Sequence, residues 1–182
     1  MNAIGTNLKD AYLISTNIFE DHRGSFMESF NLKEFEKITG YNNFVQDNHS
    51  ISIKNVLRGM HYQIERPQGK LVRCVFGKVY DAIVDLRKSS PTYGQWFGTL
   101  LYPGSMQLWV PPGFAHGFRV LSEKAEILYK VTDYRYPEYE RTLIWNDPEL
   151  KVTWGSNTFD FEPIMSDKDL RGDTFEGCEK YE

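Results

Sequence analysis

Apolar and polar residues alternate along most of this chain in short runs, each cut by Gly, Pro, Asn or Asp. Alternation with period two, bounded by turn residues, is the pattern of half-buried strands. It predicts strands over residues 11–19, 25–30, 44–53, 56–62, 70–76, 79–86, 96–101, 106–110, 115–121 and 126–132. Residues 20–24 read as a turn and 88–94 as a loop. One segment has a different period: Leu32, Phe35 and Ile38 lie three apart and Gly40 follows. That predicts a short amphipathic helix with a glycine stop. Beyond about residue 145 the pattern is irregular, with Pro148, Gly155 and Pro163. This part is expected to wrap the β core, with a little helix near residues 167–170. The chain shows no repeat, linker or low-complexity tract, and its 182 residues fit one domain, 1–182, long enough to bury a sizeable core.

Counting by twos places the polar side chains. Phe44, Gln46, Asn48 and Ser50 share one strand face, while Val45, Asp47, His49 and Ile51 share the other. Tyr129 falls with Ile127 and Val131, so its hydroxyl points inward, where it needs a partner. His116 shares a face with Phe114 and Phe118, and His61 with Gln63 and Gly59. Taken singly, a strand histidine, an inward tyrosine or a lysine opening a strand is ordinarily structural. Several inward polar groups on an aromatic-lined interior point instead to a ligand cavity. His22, in a turn, and His49, opposite Gln46 and Asn48, read as structural.

Composition narrows the classes. The net charge of −4 gives no reason to expect nucleic acid or an anionic membrane as partner. No apolar run approaches the ~18 residues of a membrane span. The start, Met1-Asn2-Ala3-Ile4-Gly5, has neither the basic nor the apolar part of a leader. The two cysteines, Cys74 in a strand run and Cys178 near the end, form no Cys-x-x-Cys pair. They read as a buried thiol and a tail thiol of a cytoplasmic protein. Aromatics, at 15%, reinforce an all-β sandwich or barrel.

Two motifs carry the chemistry: Arg58-Gly59-Met60-His61-Tyr62-Gln63 and Pro111-Pro112-Gly113-Phe114-Ala115-His116-Gly117-Phe118. Their form and spacing resemble the two halves of a cupin, a mainly β jelly-roll barrel with short peripheral helices. A metal-binding cupin has His-x-His in the first half; here the second position is Gln63. The incomplete ligand set shifts the expected chemistry from a metal to acids and bases.

Other stretches sharpen this: Asp21 to Phe30, Phe44 to Ser50, Gly69 to Arg73, Val84 to Arg87, Ser89 to Gly94, Tyr129-Lys130, Trp145 to Pro148 and Ser166 to Asp169. In order, from about residue 8 to about 170, the chain resembles the dTDP-4-dehydrorhamnose 3,5-epimerase family. The resemblance implies a dTDP-linked 4-keto-6-deoxy hexose as substrate, whose C3 and C5 protons are each α to the C4 ketone. A base removes a proton to give an enolate, and an acid on the other face returns one. The family needs no cofactor and no metal.

Residue by residue, the resemblance makes His61 the base, Asp169 the carboxylate that orients it, Tyr129 the proton donor and Lys70 the cation beside the enolate oxygen. It puts His116 near the keto region and Arg23 and Arg58 on the diphosphate. Glu28, Gln46, Asn48, Glu140 and Lys168 match other substrate-binding positions. Arg135 stands where the family commonly has a tyrosine that stacks on thymine; a guanidinium can stack too, or Tyr136 can shift in. The family also implies a homodimer with exchanged N-terminal strands, through which Arg23 and Glu28 reach the neighbouring site. Three other readings compete: an epimerase inverting only one carbon, a metal-dependent cupin oxygenase, and a sugar-binding cupin without catalysis.

Overall fold

Strands with one apolar face must bury it against another layer, and here they stack as two antiparallel sheets. The computed structural model describes residues 1–156 and 161–182. In chain order the elements are β1 (Asn2–Gly5), β2 (Tyr12–Ser15), β3 (Ile18–Asp21), β4 (Gly24–Met27), α1 (Leu32–Thr39), β5 (Gln46–Ile53), β6 (Leu57–Gln63) and β7 (Lys70–Phe76). There follow β8 (Val79–Asp85), β9 (Trp96–Leu101), β10 (Gln107–Val110), β11 (Phe114–Val120), β12 (Lys124–Val131), β13 (Glu140–Thr142) and α2 (Asp167–Leu170). One sheet runs β1-β2-β10-β7-β12-β5 and the other β13-β6-β11-β8-β9. The fold is mainly β, in jelly-roll style, with two short helices outside. Among the described residues the two sheets share no ladder, so the expected barrel is an open sandwich.

Three apolar layers hold it. Val72, Ile83, Leu108, Phe114 and Ile127 fill the space between the sheets. Outside the six-stranded sheet, Phe35 of α1 packs edge-on against Trp109, with ring centroids 5.0 Å apart. α1 forms where the three-residue spacing predicts it. The Asn31 side chain accepts from the Glu34 amide, and Gly40, at φ 76°, closes the helix. Outside the five-stranded sheet lies the irregular C-terminal part, whose Leu150, Val152, Trp154 and Phe175 cover Leu57, Met60 and Tyr62. Cys178, read as a tail thiol, is 5% exposed within this layer, because the tail is an apolar cover. No described helix is long and apolar enough to cross a membrane.

The structure departs from the alternation pattern in places. The run 11–19 is two strands: Ile14 is buried and β2 pairs with β10, but after Thr16-Asn17 the chain leaves the sheet. Among the described residues β3 then pairs only with β4, in a hairpin whose Phe19 and Phe26 are exposed. The run 25–30 stops pairing at Met27 for the same reason. β1 and β13 are short edge strands with few buried residues, so they carry no strong alternation.

The departure that shapes the site is in β6. Its register against β11 shifts between His116 and Phe118, opposite Gly59. Gly59 has φ 115°, and a Cβ there would lie 2.6 Å from the His116 carbonyl oxygen and 2.7 Å from the Gly117 Cα. Only glycine allows that approach. The irregularity turns Arg58 onto the same side as His61, which strict alternation would forbid, and removes Gly59 from the face first assigned to it.

Candidate active site

β5, β7 and β12 of one sheet and β6 and β11 of the other open at one end around a cavity of about 250 Å³. Gln46, Asn48, Arg58, His61, Lys70, His116, Tyr129, Arg135 and Glu140 all line it. His61 and His116 sit opposite each other in register on neighbouring strands of the five-stranded sheet. Tyr129 comes from the six-stranded sheet, paired with Asn48 on one side and Val72 on the other.

His61 is anchored from behind. Its Nε2 makes a short hydrogen bond to Asp169 Oδ1. Asp169 is buried in α2, where its amide donates to the Ser166 hydroxyl. Burial pushes the Asp169 carboxyl up, but the hydrogen bond and charge of His61, with Ser166 and Lys168, outweigh this and hold it below the usual carboxylate value. It is therefore a carboxylate at neutral pH, able to fix the ring and its tautomer.

Lys70, 7% exposed, opens β7 and donates to the His61 carbonyl oxygen at 3.1 Å. Burial pulls its pKa down to about 8, against the attraction of Asp81 and Glu140. Burial raises the pKa of the Tyr129 phenol, with Arg58 and Arg135 working against it. Arg58 is braced by the Ser52 hydroxyl at 3.0 Å, and Gln46 donates to Asn48 at 2.7 Å.

At the mouth, Glu140 accepts from Arg135 Nε at 2.7 Å and from Lys168 Nζ at 2.6 Å. The Arg135 hydrogen bond is the main reason its pKa falls to about 2; burial opposes, and Lys168 adds to the fall. Arg135 lines the cavity, whereas Tyr136 lies under the Arg66 guanidinium, 4.7 Å from its ring centroid, and does not. Arg23 and Glu28 lie outside the cavity of their own chain. Arg23 is at the exposed tip of the β3–β4 hairpin, held by Asp21, and Glu28 is exposed just beyond β4. His49 meets Glu126 on the solvent side, as a structural residue would.

Ser50, placed by alternation on the face of Gln46 and Asn48 but given no part in the site, also lines the cavity; sequence reasoning missed Gln68, which lines it too, and Asp81, which stands behind His116. The His116 Nε2 lies 2.8 Å and 3.0 Å from the two Asp81 oxygens. Asp81 is fully buried. Its signal was present: one aspartate between Val79 and Ile83 on an inward face demands a polar partner. Among the described residues no three His, Cys, Asp or Glu side chains group as a metal centre requires. Each cavity histidine instead spends Nε2 on one carboxylate.

Residues 5–177 match the family model described as dTDP-4-dehydrorhamnose 3,5-epimerase. The chain is 51% identical over 177 residues to the dTDP-4-dehydrorhamnose 3,5-epimerase of Pseudomonas aeruginosa, covering 96% of each protein. Among solved structures, the dTDP-6-deoxy-D-glucose-3,5-epimerase of Legionella pneumophila in complex with dTDP-4-keto-L-rhamnose is 43% identical, with a TM-score of 0.92 over 98% of this chain and 94% of that one. A 3'-monoepimerase from Streptomyces bikiniensis in complex with dTDP-quinovose is 30% identical, with a TM-score of 0.86 over 94% and 86%. With a match along nearly its whole length and relatives at this identity, the chain belongs to the dTDP-4-dehydrorhamnose 3,5-epimerase family.

Proposed function

We propose that this chain inverts C3 and C5 of a dTDP-linked 4-keto-6-deoxy hexose by proton transfer through enolates. The observation that carries the reading is the one cavity shared by an imidazole backed by a buried carboxylate, a phenol on the opposite sheet and a buried ammonium. With Nε2 held by Asp169, the other ring nitrogen of His61 keeps the lone pair that takes the α-proton. Lys70, itself buried, faces the oxygen on which charge develops, where the attraction counts for most. Tyr129 returns a proton from the far side. Arg58 and Arg135 give the cationic end suited to a diphosphate and its nucleoside. Incubation with dTDP-4-keto-6-deoxyglucose in D₂O, followed by NMR, tests this: label should enter both C3 and C5, with inversion at each. Label at C3 alone would favour the single-carbon reading.

The pH profile follows from Lys70. Its charged form stabilises the enolate, and that form is lost as pH rises through its pKa of about 8. The value of kcat/KM is therefore expected to fall on the alkaline side near pH 8, and Lys70→Gln should show a low rate without that limb. An alkaline limb unchanged in Lys70→Gln would remove Lys70 from this role.

The active form is a homodimer. Support comes from the β3–β4 hairpin, which among the described residues pairs with neither sheet and exposes Phe19 and Phe26, and from exposed Ile51 and Ile53 of β5 and Phe76 of β7. In this reading the hairpin carries Arg23 toward the partner, while β1 and β2 pair within their own chain. Light scattering should give twice the chain mass of 21.3 kDa; the single mass at assay concentration would refute it. Two unpaired, buried thiols suit a reducing cytoplasm.

A further inference from the structure

The segment between β12 and β13 crosses the cavity mouth from one sheet to the other and carries Arg135. Its flank at Asp133 is tied by Arg66, at 2.8 Å to each carboxylate oxygen, and by Gln68, which donates to the Asp133 carbonyl at 2.8 Å. The peptide groups on either side of Arg135 are held by one side chain, Gln63. Its Nε2 donates to the Tyr134 carbonyl at 3.2 Å and to the Arg66 carbonyl at 2.9 Å. Its Oε1 accepts from the Tyr136 amide at 2.7 Å. Gln63 is 3% exposed and lies two residues after His61 on the same strand. A buried carboxamide that spends both its donors and its acceptor on backbone acts as a rigid clamp, because leaving any of those groups unpaired is costly.

We infer that Gln63 is a positioning residue that fixes the backbone on both sides of Arg135 and thereby sets affinity for the nucleotide end of the substrate. The inference rests on the dTDP-sugar reading of the cavity. Gln63 occupies the position where a metal-binding cupin places its second histidine, and here its polar atoms are consumed by the loop. The Arg135 side chain is 62% exposed and reaches Glu140 across the mouth. The direction of its guanidinium therefore depends on where its backbone is held. No group of Gln63 needs to touch the ligand for this effect.

The test compares Gln63→Met, which removes the three hydrogen bonds at similar volume, with Arg135→Ala and with the double variant. Calorimetry with dTDP gives Kd, and turnover of dTDP-4-keto-6-deoxyglucose gives kcat and KM. In Gln63→Met both Kd and KM are expected to rise roughly tenfold, the size of a lost buried hydrogen-bonding set, while kcat barely moves. Hydrogen exchange at the Tyr136 amide should accelerate. In the Arg135→Ala background the same change should add little, since Gln63 acts through Arg135. Gln63→Asn, which stays polar but is one methylene short, takes the same measurements if Gln63→Met does not fold. Unchanged Kd and KM in a folded variant, full additivity with Arg135→Ala, or a fall confined to kcat would each overturn the inference. A wild-type chain that neither binds dTDP nor turns the sugar over would overturn the reading of the cavity itself, and the inference with it.

Discussion

Replacing His61 with asparagine is expected to stop exchange of both substrate α-protons while leaving the sheets intact. The base acts before either carbon can invert, so C3 and C5 fail together. Loss of a general base costs ~10²–10⁴-fold. His61 is partly open to the cavity rather than packed in the inter-sheet core, so asparagine should not disturb folding. Asp169→Asn should lose less, because the carboxylate orients the ring and tunes it but takes no proton from the substrate. D₂O exchange followed by NMR reads both variants. Near-normal exchange at both carbons in His61→Asn would remove it as the base.

Tyr129→Phe should separate deprotonation from inversion. His61 would still form the enolate, but reprotonation would come mainly from the face it left. Deuterium should therefore enter with configuration largely retained, and epimerised product should nearly vanish. The phenol suits the task because burial raises its pKa, so it holds its proton at neutral pH until the enolate needs it. Exchange by NMR, run beside an assay coupled to a reductase that accepts only the inverted sugar, distinguishes the two steps. Full inversion at wild-type rate would assign the acid to another cavity group.

Both tests rest on side chains that period-two counting had already turned inward. Counting worked where a strand is regular over its length: β5 shows Gln46, Asn48 and Ser50 to the cavity and leaves Asp47, His49 and Ile51 toward solvent. It failed where the register slips. The irregularity at Gly59 brings Arg58 beside His61, and nothing local in Arg58-Gly59-Met60-His61 reveals which residue the partner strand will skip. It also failed at the margins, where β1 and β13 are edges without a clear buried face. Gln63 was legible only as a missing metal ligand. Its clamp joins segments about seventy positions apart, a relation that exists only after the sheets have stacked. Cys178 teaches the same point from the other end, because a tail can be identified as a cover only once the surface beneath it is known. The assignment of roles to His61, Tyr129 and Lys70 came from resemblance, since spacing alone gave inward polar groups and no chemistry.

His61 stands on one sheet and Tyr129 on the other. Stacked sheets sit ~10 Å apart, a distance set by the side chains packed between them. The core is thus also a calliper that sets how far apart these two side chains stand across the cavity. Val72, Ile83 and Leu108 touch no substrate in this scheme, yet their volumes fix how far each group must reach. Trimming one, as in Ile83→Val, costs ~0.5–1.5 kcal/mol of stability. It also lets the jaws settle by a fraction of an ångström, a change to which proton transfer is far more sensitive than folding is. Stability and stereochemical fidelity are therefore tied to the same few methylene groups, and repacking this interior for robustness would retune the reaction.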